Sequence, residues 1–494
     1  MKRIKKLTAL FCCVLLAFMS VNMGDIAYAA AKATLQTNSV TIKVKETSKI
    51  VLNSKYSKAT YSYKSSDSKV ATVSKSGTIT GIKAGSASIT VSETYKKKTT
   101  TVGKVAVTVR PALDREAMIA RSLVSTGNNY RLKNAIEKAQ KGEKVTIAYL
   151  GGSITEGAMA HPNEASYAYL SYKYFRDTYG KGDGSNVKYL NAGMSGTPSI
   201  LGMIRYDKDV TLRAESAPDI VFVEFAVNDG DDPTNGDAYE SLVRNILNSD
   251  NHPAVVLLFS IFKSRWNLQD RLEPVGTFYN LPMVSIKDAI LPELNSGALS
   301  DAEYFADIYH PTNDGHKIMA DCIDYLFDTV NKEAKAESDI TVPADQAKIG
   351  HSFDGVKMID SRNAIEGVTV EKGGFSEVDP VIGTFMYAPG TRTFPDNFKH
   401  SANSGNGSLK ITLECKNFLV VYKQTSSMNQ GKIDVYVDGV KKQTIDGHVA
   451  GGWNNPYTKL IFNDAASAKH TIEIKMAPDS SSKDFTVMAL GYTK

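Results

Sequence analysis

Four short stretches of this 494-residue chain carry residue types that can build one acyl-transfer site. They are Gly151-Gly152-Ser153-Ile154-Thr155, Asn191-Ala192-Gly193-Met194-Ser195-Gly196, Val227-Asn228-Asp229 and Asp307-Ile308-Tyr309-His310. Ester hydrolysis by a serine needs a hydroxyl within reach of a neutral imidazole, a carboxylate that orients that imidazole, and donors aimed at the developing oxyanion. Ser153 offers the hydroxyl, and the two glycines before it let the backbone turn tightly and leave its amide exposed. Asp307 and His310 stand three apart, the spacing that turns two side chains to one side. Asp314 and His316 are too closely spaced to share a face, and they run into a helix. Gly193 brings an N–H with no side chain in the way, and Asn228 brings a carboxamide, so the expected oxyanion donors are Ser153 N–H, Gly193 N–H and Asn228. Taken singly, a serine after two glycines is a turn or cap residue, and a lone Gly, Asn or His says no more. The reading rests on all four in order, each at a plausible strand end.

The elements that must position these residues are legible as apolar runs at 145–150, 187–191, 219–227, 254–261 and 282–287. They alternate with amphipathic segments such as 167–179, 239–247 and 317–330, and residues 112–143 read as a helical lead-in. Such alternation predicts a parallel sheet covered on both faces. Ser153, Gly193 and Asn228 then lie at carboxyl ends of strands, where open α/β sheets bind ligands.

In order and in type, Ser153, Gly193, Asn228 and His310 match the four blocks of the SGNH or GDSL hydrolase superfamily, which residues 144–330 resemble. The resemblance implies a flavodoxin-like three-layer α/β fold for a catalytic domain over 112–335. It implies catalysis by Ser153, His310 and Asp307 without metal or cofactor. Gly152 stands where the GDSL signature has Asp; that Asp is no member of the catalytic triad, and Gly-Gly-Ser-Ile-Thr looks like a variant seen among secreted carbohydrate esterases.

Two β-rich regions flank this domain. From 33 to 111, short alternating runs such as Val40-Thr41-Ile42-Lys43-Val44 and Ala87-Ser88-Ile89-Thr90-Val91, separated by Ser-Gly and Ala-Gly turns, predict a β-sandwich. The run Ser65 to Val73, followed by Gly77-Thr78-Ile79-Thr80-Gly81, resembles the bacterial immunoglobulin-like domains of surface proteins, with Tyr63 where Trp is usual. From 342 to 494, alternating strands return, with Asp438-Gly439 closing a hairpin between Val437 and Val440. This region looks like the jelly-roll-like β-sandwich that accompanies carbohydrate esterases. The two tryptophans of the chain, Trp266 and Trp453, both fall in loops; their faces can stack on sugar rings, or they pack loops onto the body.

The first 29 residues read as an export signal: Lys2, Arg3, Lys5 and Lys6, an apolar run from Leu7 to about Met19, and cleavage after Ala27-Tyr28-Ala29. No later run is long enough to span a membrane. Beyond Cys12 and Cys13 in that segment, only Cys322 and Cys415 remain, too few for a disulfide scaffold, and two free buried thiols are expected. The net charge of +5 hides an asymmetry: residues 1–31 carry +3, residues 32–110 carry +12, and residues 111–494 carry −10. A basic front module favours contact with an anionic cell-wall surface, with solubility and edge protection as the plainer purpose, and nucleic acid is not an expected partner. Asn228-Asp229-Gly230-Asp231-Asp232-Pro233 lacks the alternating ligands and terminal Glu of a calcium loop and reads as a solvated loop. Together these features predict a secreted serine esterase that removes O-acetyl groups from a polysaccharide of xylan or mannan type. A cell-wall glycan esterase, a lipase or lysophospholipase, and a non-catalytic adhesin are the alternatives.

Overall fold

The computed structural model describes residues 33–494 except 54, 56, 215–216 and 383–393. The expected export signal over residues 1–29 lies outside the described residues. No helix among the described residues is long and apolar enough to cross a membrane. The chain divides after Ala112 into two compact units.

The first unit is all β. Strands β1 (Ser39–Lys43), β2 (Thr47–Lys49), β3 (Thr60–Ser65), β4 (Ala71–Val73), β5 (Thr78–Gly81), β6 (Gly85–Tyr95) and β7 (Lys98–Arg110) form a four-stranded sheet of order β1-β7-β6-β3 and a three-stranded sheet of order β2-β5-β4. Alternation drives the assembly: Ile42, Ile89, Val91, Val105, Val107 and Val109 from one sheet and Ile79 and Ala71 from the other are buried in a common core. Tyr63 packs its ring where a side chain on Gly77 would stand, 2.7 Å from the ring carbon Cζ.

The second unit starts with α1 (Arg115–Ala120), β8 (Leu123–Ser125) and α2 (Tyr130–Lys141), which ends at Gly142 in the left-handed conformation. The helical lead-in read from the sequence is thus interrupted by a short strand. Next come β9 (Val145–Gly151), α3 (Ser153–Glu156), α4 (Tyr167–Tyr179), β10 (Val187–Gly193), α5 (Ser199–Tyr206), β11 (Ile220–Glu224), α6 (Asp237–Leu247), β12 (Ala254–Phe259), α7 (Gln269–Phe278), β13 (Met283–Ser285), α8 (Ile286–Ser296) and α9 (Asn313–Lys332). The six-stranded sheet has the order β8-β13-β12-β11-β9-β10, parallel except for β8, which pairs antiparallel with β13 at the edge. Every residue of β9, β11 and β12 is buried, which is why these segments read as continuous apolar runs without alternation. One face packs on α2, α4 and α9 and the other on α5 and α6.

After α9 the chain turns to β structure again. Strands β14 (Leu409–Thr425), β15 (Lys432–Val437), β16 (Val440–Asp446), β17 (Trp453–Met476) and β18 (Phe485–Thr493), with three short strands, make an eight-stranded antiparallel sheet. Asp438 and Gly439, both at positive φ, close the β15–β16 hairpin at Val437 and Val440. The run Phe418 to Tyr422 is buried on both sides: Phe418, Val420 and Tyr422 join this region's own core, whereas Leu419 and Val421 join the core that covers the parallel sheet. That shared core welds the β region to the α/β domain and brings the start of β17 to the carboxyl ends of the parallel strands. Cys322 and Cys415 are free and buried, and burial pushes both thiols up to about 12.

Candidate active site

Ser153 is the first residue of a one-turn helix that begins directly after β9 and ends at Gly157, at φ +101°. This abrupt strand-to-helix turn leaves the serine half-buried at the carboxyl edge of the sheet. Gly152 is needed for space: a Cβ there would lie 2.5 Å from the Asn228 carboxamide. A side chain at the position that carries Asp in the GDSL signature would therefore have to displace the carboxamide of the residue expected to donate to the oxyanion.

The opposing wall is the loop before α9. Its ends are joined by a bridge between Phe305 and Pro311, and Ala306 N–H donates to the His310 carbonyl at 2.9 Å. Within the loop, Asp307 Oδ1 accepts from Tyr309 N–H and His310 N–H, both at 2.7 Å, and Oδ2 accepts from His310 Nδ1 at 2.8 Å. Burial raises the Asp307 carboxyl, but the His310 bond and the two backbone donors outweigh it and hold the group below its ordinary range. An ionised Asp307 needs a proton on Nδ1, which leaves Nε2 of the neutral ring free to accept, and Nε2 lies 2.9 Å from Ser153 Oγ. Ser153, His310 and Asp307, read from the sequence as a triad, thus form one hydrogen-bonded chain through His310. His316 is instead fully buried in α9, between the Ala158 carbonyl (3.0 Å from Nε2) and Tyr167 N–H, which donates to Nδ1 at 3.3 Å; desolvation holds it down at about 4.

Gly193 does not meet its expectation. Its N–H donates to Asn191 Oδ1 at 2.8 Å, it is buried, and a Cβ there would collide with the backbone of Glu156. It is glycine because α3 packs directly on the end of β10. The exposed glycine of the same stretch is Gly196, at φ +69°, which lines the pocket with Ser153, Ala158, Ser195, Asn228, Phe262, Tyr309, His310 and Trp453. A Gly followed by Thr197-Pro198 is a turn signal, and that was the available clue that the chain doubles back over the strand end at 196 rather than 193.

Buried polar residues that the sequence reading passed over tie these parts together. Asn191 Nδ2 donates to the Thr155 carbonyl at 2.8 Å, and Glu156 Oε2 accepts from Ser195 N–H at 2.8 Å and Ser195 Oγ at 2.6 Å. Arg205, 1% exposed, donates to the Ala192 and Gly151 carbonyls at 2.7 and 3.2 Å from beneath. Asp229 Oδ1 caps α5 at Ser199 N–H at 2.7 Å, and Asp232 bonds Thr234 and Gly236, so two of the three acids of that loop are buried and act in turns and caps rather than facing solvent. Burial pushes Glu224 and Asp229, beneath the site, up to about 7.

The pocket at Ser153 has a volume of about 360 Å³. A second cavity of about 460 Å³ shares Gly196, Asn228 and Phe262 with it and runs on past Trp266, Asp231, Tyr457 and Lys459. Phe262 carries Tyr309 edge-on at 5.0 Å and Trp266 stacked at 5.8 Å, one aromatic wall across both cavities. Trp453, from the first residue of β17, faces Gly196, where a Cβ would stand 3.4 Å from its ring.

With this geometry in hand, comparison with known proteins is direct. Residues 149–318 match the GDSL-like lipase/acylhydrolase family. The chain carries a GDSL-like hydrolase domain. It is an esterase. Two solved structures of a two-domain esterase active on acetylated mannans align with it. One shares 26% identity over 76% of this chain and 98% of its own, at a TM-score of 0.64, and was co-crystallised with mannopentaose. The other shares 27% over 76% of this chain and 99% of its own, at 0.65. No curated protein sequence matches the chain. The GDSL-like match spans Ser153, Asn228, Asp307 and His310, whereas the likeness to the two-domain esterase extends over most of the second unit's length.

Proposed function

We propose that this protein is a secreted carbohydrate esterase that removes O-acetyl groups from a mannan-type polysaccharide through an acetyl-Ser153 intermediate. The observation that carries the reading is the Ser153–His310–Asp307 chain opening into a groove of two connected cavities walled by Trp453 and by Phe262, Tyr309 and Trp266. A short pocket at the serine suits a small acyl group, and a longer aromatic-walled channel beside it suits a chain of sugar rings. The likeness to an esterase active on acetylated mannans supports mannan over xylan.

In this reading His310 Nε2 takes the proton as Ser153 Oγ attacks the acetyl carbonyl. The oxyanion receives hydrogen bonds from Ser153 N–H, Gly196 N–H and the Asn228 carboxamide, with Gly196 taking the role first expected of Gly193. The protonated imidazole returns its proton to the sugar oxygen as the C–O bond breaks. Water, deprotonated by His310, then releases acetate and restores Ser153. Asp307 holds the ring in the required tautomer and stabilises its charge. Export rests on the basic and apolar pattern of residues 1–29, and the +12 module suits a place at an anionic cell surface.

The test is acetate release from acetylated mannan, acetylated xylan, acetylated chitin fragments and peptidoglycan by the mature protein and its Ser153→Ala variant. Release from mannan by the parent alone is expected. Equal release by both would end the serine mechanism, and turnover of long-chain lipid esters alone would end the polysaccharide reading.

A further inference from the structure

The third acid of the Asn228–Pro233 loop, Asp231, is exposed, and its side chain enters no hydrogen bond or ion pair among the described residues. It borders the cavity of about 460 Å³ that meets the Ser153 pocket at Gly196, Asn228 and Phe262. Gln443 of β16 and Thr458 of β17 border the same cavity from the C-terminal β region. The half-buried Gln443 carboxamide is likewise without a hydrogen bond among the described residues. Thr458 pairs with Val421, and paired residues of an antiparallel sheet share a face. Its side chain is therefore on the face through which Leu419 and Val421 join the core over the parallel sheet. Thr458 is only 5% exposed, and its Oγ1 finds no partner. A valine would fill the place with the same shape and without the cost of burying an unpaired hydroxyl. Rotation about Cα–Cβ exchanges that hydroxyl with the methyl group at the cavity wall.

We propose that this cavity holds the neutral sugar ring next to the acetylated one, with Asp231, Gln443 and Thr458 bonding its hydroxyls, and so makes the esterase select oligosaccharides over simple acetyl esters. The proposal rests on the carbohydrate-esterase reading above and names the residues that would give it specificity. A carboxylate only accepts hydrogen bonds, whereas a carboxamide and a hydroxyl both accept and donate. That set matches sugar hydroxyls, each of them donor and acceptor, and the Asp231 charge disfavours a phosphate or carboxylate ligand. Lys459 also borders the cavity, but its ammonium lies over the Tyr457 ring at 5.3 Å. Trp266, 39% exposed and stacked on Phe262, supplies the apolar surface that a sugar ring needs. The cavity volume lies within the range of small-molecule sites.

The test measures kcat and KM of the full mature chain on nitrophenyl acetate and on mannose and mannotetraose acetylated at the same hydroxyl. The variants are Asp231→Ala, Gln443→Ala, Thr458→Val and Thr458→Ser. For the parent, kcat/KM should rise at least about tenfold from the monosaccharide to the tetrasaccharide, the worth of one or two hydrogen bonds. In Asp231→Ala, Gln443→Ala and Thr458→Val that rise should shrink to about threefold or less, through KM rather than kcat. Thr458→Ser keeps the hydroxyl and should keep the rise. Thr458→Val should also melt at a higher temperature than the parent, because it removes an unpaired buried hydroxyl. A lower midpoint with equal losses on all three substrates would give the hydroxyl a structural role and overturn the proposal. Equal gains with chain length in the parent and all variants would overturn the subsite while leaving the carbohydrate reading intact. A parent that hydrolyses nitrophenyl acetate but neither saccharide would overturn both.

Discussion

Glu156 Oε2 accepts both the N–H and the Oγ of Ser195, so the helix turn that begins with Ser153 grips the loop that carries Gly196. The turn that carries Ser153 and the loop that carries Gly196 are held as one piece by a carboxylate only 2% exposed. Glu156→Ala should therefore lower kcat by about a hundredfold, the order of one lost oxyanion donor, with KM little changed. Glu156→Gln keeps an oxygen able to accept both bonds and should retain most of the rate. Steady-state kinetics on a soluble acetyl ester decide this; an equal loss in both variants would reject positioning through the acceptor.

Asn228 and Gly152 are coupled by their contact. Asn228→Ala should slow turnover by roughly two to three orders of magnitude. Gly152→Asp pushes a side chain into the same carboxamide, 2.5 Å from where its Cβ must sit, and should reproduce much of that loss while Ser153 remains present. Intact-mass measurement of acyl-enzyme formation would separate slow chemistry from a misfolded chain.

Asp307 makes three bonds from one carboxylate, two of them to backbone N–H groups that shape its own loop. Asp307→Asn retains size but presents a donor or a weaker acceptor to His310 Nδ1, favouring the wrong tautomer. A kcat loss of about three to four orders of magnitude is expected. Because the native carboxyl is held below its ordinary range, Asp307 stays ionised through mildly acidic pH, and loss of activity on mild acidification is not expected to arise from its protonation.

Trp453 is contributed by the C-terminal β region to a pocket otherwise built by the α/β domain. Trp453→Ala should raise KM on acetylated mannan by about fivefold to tenfold, the worth of about 1 kcal/mol of stacking, and barely affect nitrophenyl acetate. An equal effect on both substrates would assign the ring to packing.

His316 is buried neutral, with desolvation depressing it to about 4 from an ordinary value near 6.5. A depressed histidine means the unfolded chain binds the proton that the folded one refuses. Its contribution, up to about 3 kcal/mol, is complete above pH 6.5 and lost as pH falls toward 4. The thermal midpoint of the parent should drop across that window more steeply than that of His316→Gln, as followed by circular dichroism.

Much of this was legible along the chain. The runs at 145–150, 219–227 and 254–261 announced buried parallel strands because both faces of such strands are covered, and Asp307 to His310 announced a carboxylate–imidazole pair because both partners lie on one short loop. Leu123-Val124-Ser125 escaped notice because three residues between two helices carry no period, and only pairing with β13 makes them a strand.

The oxyanion loop marks the boundary more sharply. Asn191 to Gly196 was identifiable as a block, but which of its two glycines faces substrate depends on how closely α3 packs on β10 and on which N–H groups Asn191 and Glu156 consume. The order of Ser153, Asn228, Asp307 and His310 and their place at strand ends or in one short loop were legible in the sequence itself, since local spacing suffices for them. The choice of Gly196, the coupling of Ser153 to Ser195 through Glu156, and the arrival of Trp453 from about 300 residues downstream were decided only by tertiary structure, because each depends on contacts between elements with no fixed separation along the chain.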